Sequence, residues 1–205
     1  MMRAPWIPAS VGARSQTAIE LLDLYRTLAS LVGLPPPDAD VEGDDMSAAL
    51  SEPAAMIKAD AFAQYSRCPG ERDFPDNMIA PEDWALNNCE DVPPQNITYM
   101  GYTLRTAPAS SGDSEWRFTE WYSWDREACE ALFDAPPVGT ELYDHTGLPI
   151  VGDFDSAENE NVAAANPQVV AELRAKLWAR FRKSTHLGCP PPENATASLE
   201  WPHSQ

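Results

Sequence analysis

ITYMGYTLRT, residues 97–106, and WRFTEWYSW, residues 116–124, are two runs rich in aromatic and β-branched residues. The stretch between them, APASSGDSE, is small and polar, so the pair reads as an antiparallel β-hairpin. In the second run Trp116, Phe118, Glu120 and Tyr122 alternate with Arg117, Thr119, Trp121 and Ser123. Aromatic residues fall on both faces, so this strand is expected to be covered on each side or to present one face to a partner.

Outward from the hairpin, DAFAQYS (60–66) reads as a strand entering a turn, and GTELYDH (139–145) as a further short strand. In SQTAIELLDLYRTLASLVGL (15–34) Ile19, Leu22, Leu28 and Val32 recur at helical spacing. With Leu21, Leu24, Tyr25 and Leu31 they predict a helix with a broad buried face. Ser15 or Thr17 is the expected N-cap, and Gly33 the left-handed residue after the last turn. MSAAL (46–50) predicts a short helix, and NPQVVAELRAKLWARF (166–181) a longer one. In the latter Pro167 suits the first turn, and Val170, Leu173, Leu177 and Phe181 form the apolar stripe. Pro5 and Pro8 in RAPWIPASVG argue for an extended strand end running into a turn. The order helix, strand, hairpin, strand, helix predicts an α+β fold, an antiparallel sheet of about four strands packed against helices.

The composition supports a core: 43% of the 205 residues are apolar, although 20 prolines and 10 glycines imply much irregular chain. No apolar run is long enough to span a bilayer, and MMRAPWIPAS lacks the apolar centre of a signal peptide. The formal net charge of −18 opposes nucleic acid and anionic membranes as partners, and is read as a solubilising surface. Cys68, Cys89, Cys129 and Cys189 are even in number, and Asn96 and Asn194 each open an N-glycosylation sequon. Both features lean towards an oxidising, secretory setting. No CxxC spacing points to zinc.

Cys68, in SRCPGERDFPD (66–76), raises the question of a nucleophile. A Cys/His dyad with His145 is formally possible, since such partners need not be close in sequence. Only Arg67 and Arg72 nearby would favour a thiolate, so a disulfide or a buried loop thiol is the preferred reading. The acidic runs at 43–45 and 153–160 lack the spacing of a calcium loop and are read as solvated carboxylates. No GxSxG elbow occurs.

AIELLDLYRTLASLVGLPPP, EGDDMSAAL, AFAQYSR, YMGYTLRT, RFTEWYSW, ELYDH and ENENVA follow one another along the chain. Taken in that order, these segments resemble the C-terminal part of the type I sulfatases, most nearly the iduronate-2-sulfatase group. AFAQYSR, YMGYTLRT and RFTEW carry most of the resemblance, which covers residues 3 to 181. It implies an alkaline-phosphatase-like enzyme whose C-terminal subdomain packs a small antiparallel sheet against a long terminal helix. The implied reaction is hydrolysis of a sulfate ester at a formylglycine made within C/S-x-P-S-R, with a calcium ion orienting the sulfate.

Neither CPGER at Cys68 nor CPPPE at Cys189 fits that motif. The nucleophile, the metal-holding aspartates and the Lys and His residues around the sulfate are expected in a large N-terminal domain. The resemblance therefore predicts no catalytic residue, metal ligand or cofactor in this chain. Calcium and the missing N-terminal sulfatase domain are its implied complements, and a sulfated polysaccharide its implied substrate. A full-length relative would be secretory, lysosomal or extracellular. Residues 1–58 are assigned to the end of the large domain, 59–182 to the C-terminal subdomain and 183–205 to a disordered tail. Arg67, Thr98 and Tyr99 are the candidate sugar-facing residues, although Arg67 could instead brace its loop through Asp73 or Asp76. Arg105 and Arg117 are expected to make cross-strand salt bridges. The alternative reading is a free-standing, non-catalytic glycan-binding or interaction module.

Overall fold

A computed structural model describes residues 4–39, 41–68, 93–107, 115–147 and 158–182. Its strands are β1 (Asp60–Arg67), β2 (Tyr99–Thr106), β3 (Trp116–Asp125), β4 (Glu130–Ala131) and β5 (Gly139–Asp144). They form one sheet in the order β1-β2-β3-β4, with β5 also pairing β3. The fold is the expected α+β class, and the sheet is antiparallel, with a two-residue β4 added to the anticipated strands.

Backbone bonds fix the register. Thr98 N–H donates to Arg67 C=O at 2.8 Å and Ala107 N–H to Ala59 C=O at 2.6 Å, framing β1 against β2. The hydroxyls of Thr103 and Thr119 meet at 2.8 Å across β2 and β3. Trp124 stands opposite Ala131, and Asp125 opposite Glu130. Val138 N–H to Trp121 C=O (2.8 Å) and His145 N–H to Glu115 C=O (2.7 Å) frame β5 against β3.

The helices are α1 (Asp23–Leu31), α2 (Ala48–Ser51) and α3 (Pro167–Phe181), with 3-10 turns at Pro8–Ser10, Pro94–Asn96 and Ala163–Ala165. The chain divides into two compact units, and the division crosses β1, β2 and β3. One comprises Met1–Gln64, Tyr102–Glu120 and Gly139–Arg182; in the other, Tyr65–Gly101 and Trp121–Val138 carry the described residues.

In the first unit α3 covers one face of the strands. Its stripe of Val170, Leu173 and Leu177 is buried, as are Leu104, Phe118 and Leu142 of the strands. Phe181 closes the helix against the rings of Phe62 and Tyr102, at centroid distances of 6.0 and 4.6 Å. Asn161 ties the approach to α3 onto β5: its Oδ1 accepts from Leu142 N–H, and its Nδ2 donates to Thr140 C=O. In the second unit Ile97, Met100, Tyr122 and Ala131 are buried, and Tyr122 packs on Phe133 at 4.9 Å.

The first helix departs from expectation in two ways. It begins at Asp23, and neither Ser15 nor Thr17 caps it. Thr17 Oγ1 instead accepts the amides of Ile57 and Lys58, and Ala18 N–H donates to Lys58 C=O. A backbone paired laterally to 57–58 cannot also enter a helical ladder. Asp23, the first helical residue, instead reaches back and accepts Glu20 N–H at 2.8 Å.

Burial of this helix is also inverted. Asp23, Thr27 and Ala29 face inward, whereas Leu21, Tyr25, Leu28 and Val32 are exposed. Only the C-terminus behaves as read, with Gly33 at φ +73° and Leu34 N–H returning to Ala29 C=O. At the chain start Pro8 opens a 3-10 turn rather than following a strand. Residues 69–92, the connection at 108–114 and the segment 183–205 lie outside the described residues.

Candidate functional site

The inverted face of α1 has a polar cause. Asp23, fully buried, accepts Glu20 N–H and Asp44 N–H, both at 2.8 Å, and faces Lys58 Nζ at 3.0 Å. Lys58 also pairs with Glu20 and with Asp44, while Glu20 Oε1 accepts Phe62 N–H at 2.8 Å. Burial pushes the Asp23 carboxyl up, but the two amides and Lys58 outweigh it and hold the group below the usual carboxylate range. Burial likewise lowers Lys58, and Glu20 and Asp23 more than reverse this.

Glu20, Asp23 and Asp44 thus converge as metal-binding carboxylates would, yet an ammonium fills their centre. Among the described residues no cluster of His, Cys, Asp and Glu could hold a metal ion. With Lys58 at their centre these carboxylates form an ion-pair cluster.

Two other places carry charged side chains in an arrangement suited to binding. At one end of β1 and β2, in the second unit, the sequence-derived candidates Arg67 and Thr98 are joined by the bond between Thr98 N–H and Arg67 C=O. Tyr99 follows, partly exposed. The Arg67 guanidinium lies over the Trp121 ring, 4.6 Å from its centroid, and 6.0 Å from that of Tyr65. Trp121 can lie flat on the sheet because residue 101 is glycine; a Cβ there would stand 2.7 Å from the ring. Sequence reasoning placed Arg67 but missed this stack, which pairs residues more than fifty positions apart. Asp73 and Asp76, the alternative partners of Arg67, lie outside the described residues.

The second place is a cleft of about 620 Å³ in the first unit, lined by Ala61, Ala63, Thr103, Arg105, Arg117, His145 and Glu158 among others. Arg105 Nη2 pairs with Glu115 at 2.9 Å, and Arg117 Nη1 reaches both oxygens of Glu158 at 2.9 and 3.1 Å. His145 Nε2 meets the same carboxylate at 3.0 Å. Burial, and then the nearby Arg105 charge, hold His145 below the ordinary histidine value despite Glu158. Arg105 and Arg117 are ion-paired, but Glu115 and Glu158 both lie outside the strands, so neither pair is the expected cross-strand bridge.

Cys68 and Cys129 are both disulfide-bonded. A disulfide sulfur is no nucleophile, so the Cys68/His145 dyad is excluded. Cys89, Cys189 and the sequon at Asn194 lie outside the described residues. Asn96 is exposed at the end of its 3-10 turn. No helix among the described residues is long and apolar enough to cross a membrane.

No family model matches the chain. Iduronate 2-sulfatase of Mus musculus is 29% identical over 161 residues, a match covering 69% of this chain and 26% of that protein. The chain therefore spans about a quarter of the length of the curated relative it matches. An antiparallel sheet with a terminal helix and this sequence match together make the chain similar to the C-terminal part of a sulfatase.

Proposed function

We propose that this chain forms the C-terminal portion of a sulfuric ester hydrolase similar to iduronate 2-sulfatase, acting on sulfated polysaccharide. The sequence match over 161 residues is the observation that carries the reading. In it, the formylglycine nucleophile and the calcium belong to an N-terminal sulfatase domain, and this chain supplies a docking surface and residues flanking the sugar. The exposed row of Leu21, Tyr25, Leu28 and Val32 supports the docking role, because apolar side chains aligned on one helix face mark an interaction surface. Arg67, Thr98 and Tyr99 are the substrate-facing residues of this reading, and Asn96 its glycan acceptor. Passage through an oxidising compartment belongs to it too, supported by the disulfide bonding of Cys68 and Cys129.

Aryl-sulfate turnover, with and without calcium, tests the proposal. The chain alone should give none. Adding the N-terminal domain of an iduronate-2-sulfatase-like enzyme should form a complex, and the same domain should bind less well to a Tyr25→Lys/Leu28→Glu variant. Turnover by the isolated chain, or no complex at all, would refute the assignment. A monodisperse, dye-negative monomer that ignores the domain would speak for a free-standing module instead.

A further inference from the structure

We propose that the cleft beside Arg105, Arg117 and His145 binds a small oxyanion, of the size and charge of a sulfate or carboxylate group. The inference does not rest on the sulfatase reading. Its first support is an orphaned donor: Nη1 of Arg105 is buried and has no hydrogen-bond partner among the described residues. A guanidinium carries five N–H donors, and a buried donor without an acceptor is costly enough to be rare. Nη2 of the same group is engaged by Glu115 at 2.9 Å, which fixes the guanidinium without serving Nη1.

The second support is the company Arg105 keeps. Arg117 and His145 line the same cavity, and the Arg105 charge opposes protonation of His145. Glu158 already shows the chemistry the cleft favours. This partly exposed carboxylate is held by Arg117 at 2.9 and 3.1 Å and by His145 at 3.0 Å. An oxyanion accepting from Arg105 Nη1 would add a negative charge where two guanidinium groups meet, and would favour the protonated imidazole beside them. The small side chains of Ala61 and Ala63 leave a cavity of about 620 Å³, ample for such a group and for part of a molecule bearing it.

Calorimetric titration of the full chain at fixed ionic strength tests this, using sodium sulfate, a sulfated disaccharide and its unsulfated counterpart. Saturable binding of sulfate is expected. Arg105→Lys, which keeps the charge but removes the fork, should weaken it by about tenfold, the value of one hydrogen bond to a charged group. The His145 ring, followed by NMR, should titrate at higher pH when sulfate is present. Should Arg105→Lys fail to fold, Arg117→Lys at the more exposed partner provides the same comparison. Tighter binding of the sulfated than of the unsulfated disaccharide and of free sulfate identifies a sugar-borne group, and equal binding of both sulfate forms identifies the free anion. Binding that does not saturate, that survives both substitutions, or that leaves the His145 titration unmoved overturns the proposal.

Discussion

Oε1 of Glu120, fully buried in β3, accepts two hydrogen bonds from Arg174 of α3, from Nε at 2.9 Å and Nη2 at 2.6 Å. Thr140 Oγ1 approaches the same oxygen at 3.4 Å. The pair joins the helix to the sheet. Arg174→Ala removes the guanidinium from a fully buried carboxylate and should cost about 3–5 kcal/mol, whereas a paired Glu120→Leu/Arg174→Leu replacement should cost much less. Urea unfolding of the three proteins measures the difference. Equal losses in both variants would show that shape, and not the ion pair, dominates.

Gly101 and Trp121 make a steric prediction. Gly101→Ala places a methyl group 2.7 Å from the indole, so the ring must lift from the strand. The expected loss is about 1–3 kcal/mol. Trp121 fluorescence should shift as the ring leaves its contact with Arg67; an unchanged spectrum would count against the stacked geometry.

The Lys58 cluster sets a pH dependence. Asp23 titrates below its ordinary value in the folded chain, so its contribution to stability is present above about pH 4 and lost as pH falls through the folded value. Lys58 titrates above its ordinary value, so its contribution is complete below about pH 10 and lost as pH rises further. Chemical unfolding across pH should show both limbs, and Asp23→Asn should flatten the acid one.

The outward face of α1 predicts solvent-dependent behaviour. Tyr25→Lys with Leu28→Glu should reduce binding of a hydrophobic dye while changing stability by no more than about 0.5 kcal/mol per site, as for surface substitutions elsewhere. A large loss of stability would mean that these side chains pack in the isolated chain.

Much of the fold was legible because period-two alternation and turn composition are local signals. The alternation puts Trp116, Phe118, Glu120 and Tyr122 on one face; the last three are buried and Trp116 is half-buried. Pro167 and the stripe from Val170 to Leu177 marked α3 to within a residue. The first helix was misread for a physical reason. Its apolar residues do recur at helical spacing, but the buried charge network among Asp23, Glu20 and Lys58 holds the opposite face inward. Of the candidate sites, Arg67 was visible as a residue, whereas its seat on Trp121 was not.

Sequence by itself determined the four longer strands, the last helix, the acidic character and the likeness to a sulfatase C-terminal part, since each is written in neighbouring residues or in their order. Tertiary structure alone decided which face of α1 is buried, what neutralises Glu120, and which arginines and histidine share a cleft. Those outcomes depend on side chains brought together from distant positions, where burial makes each unpaired charge costly enough to choose its own partner.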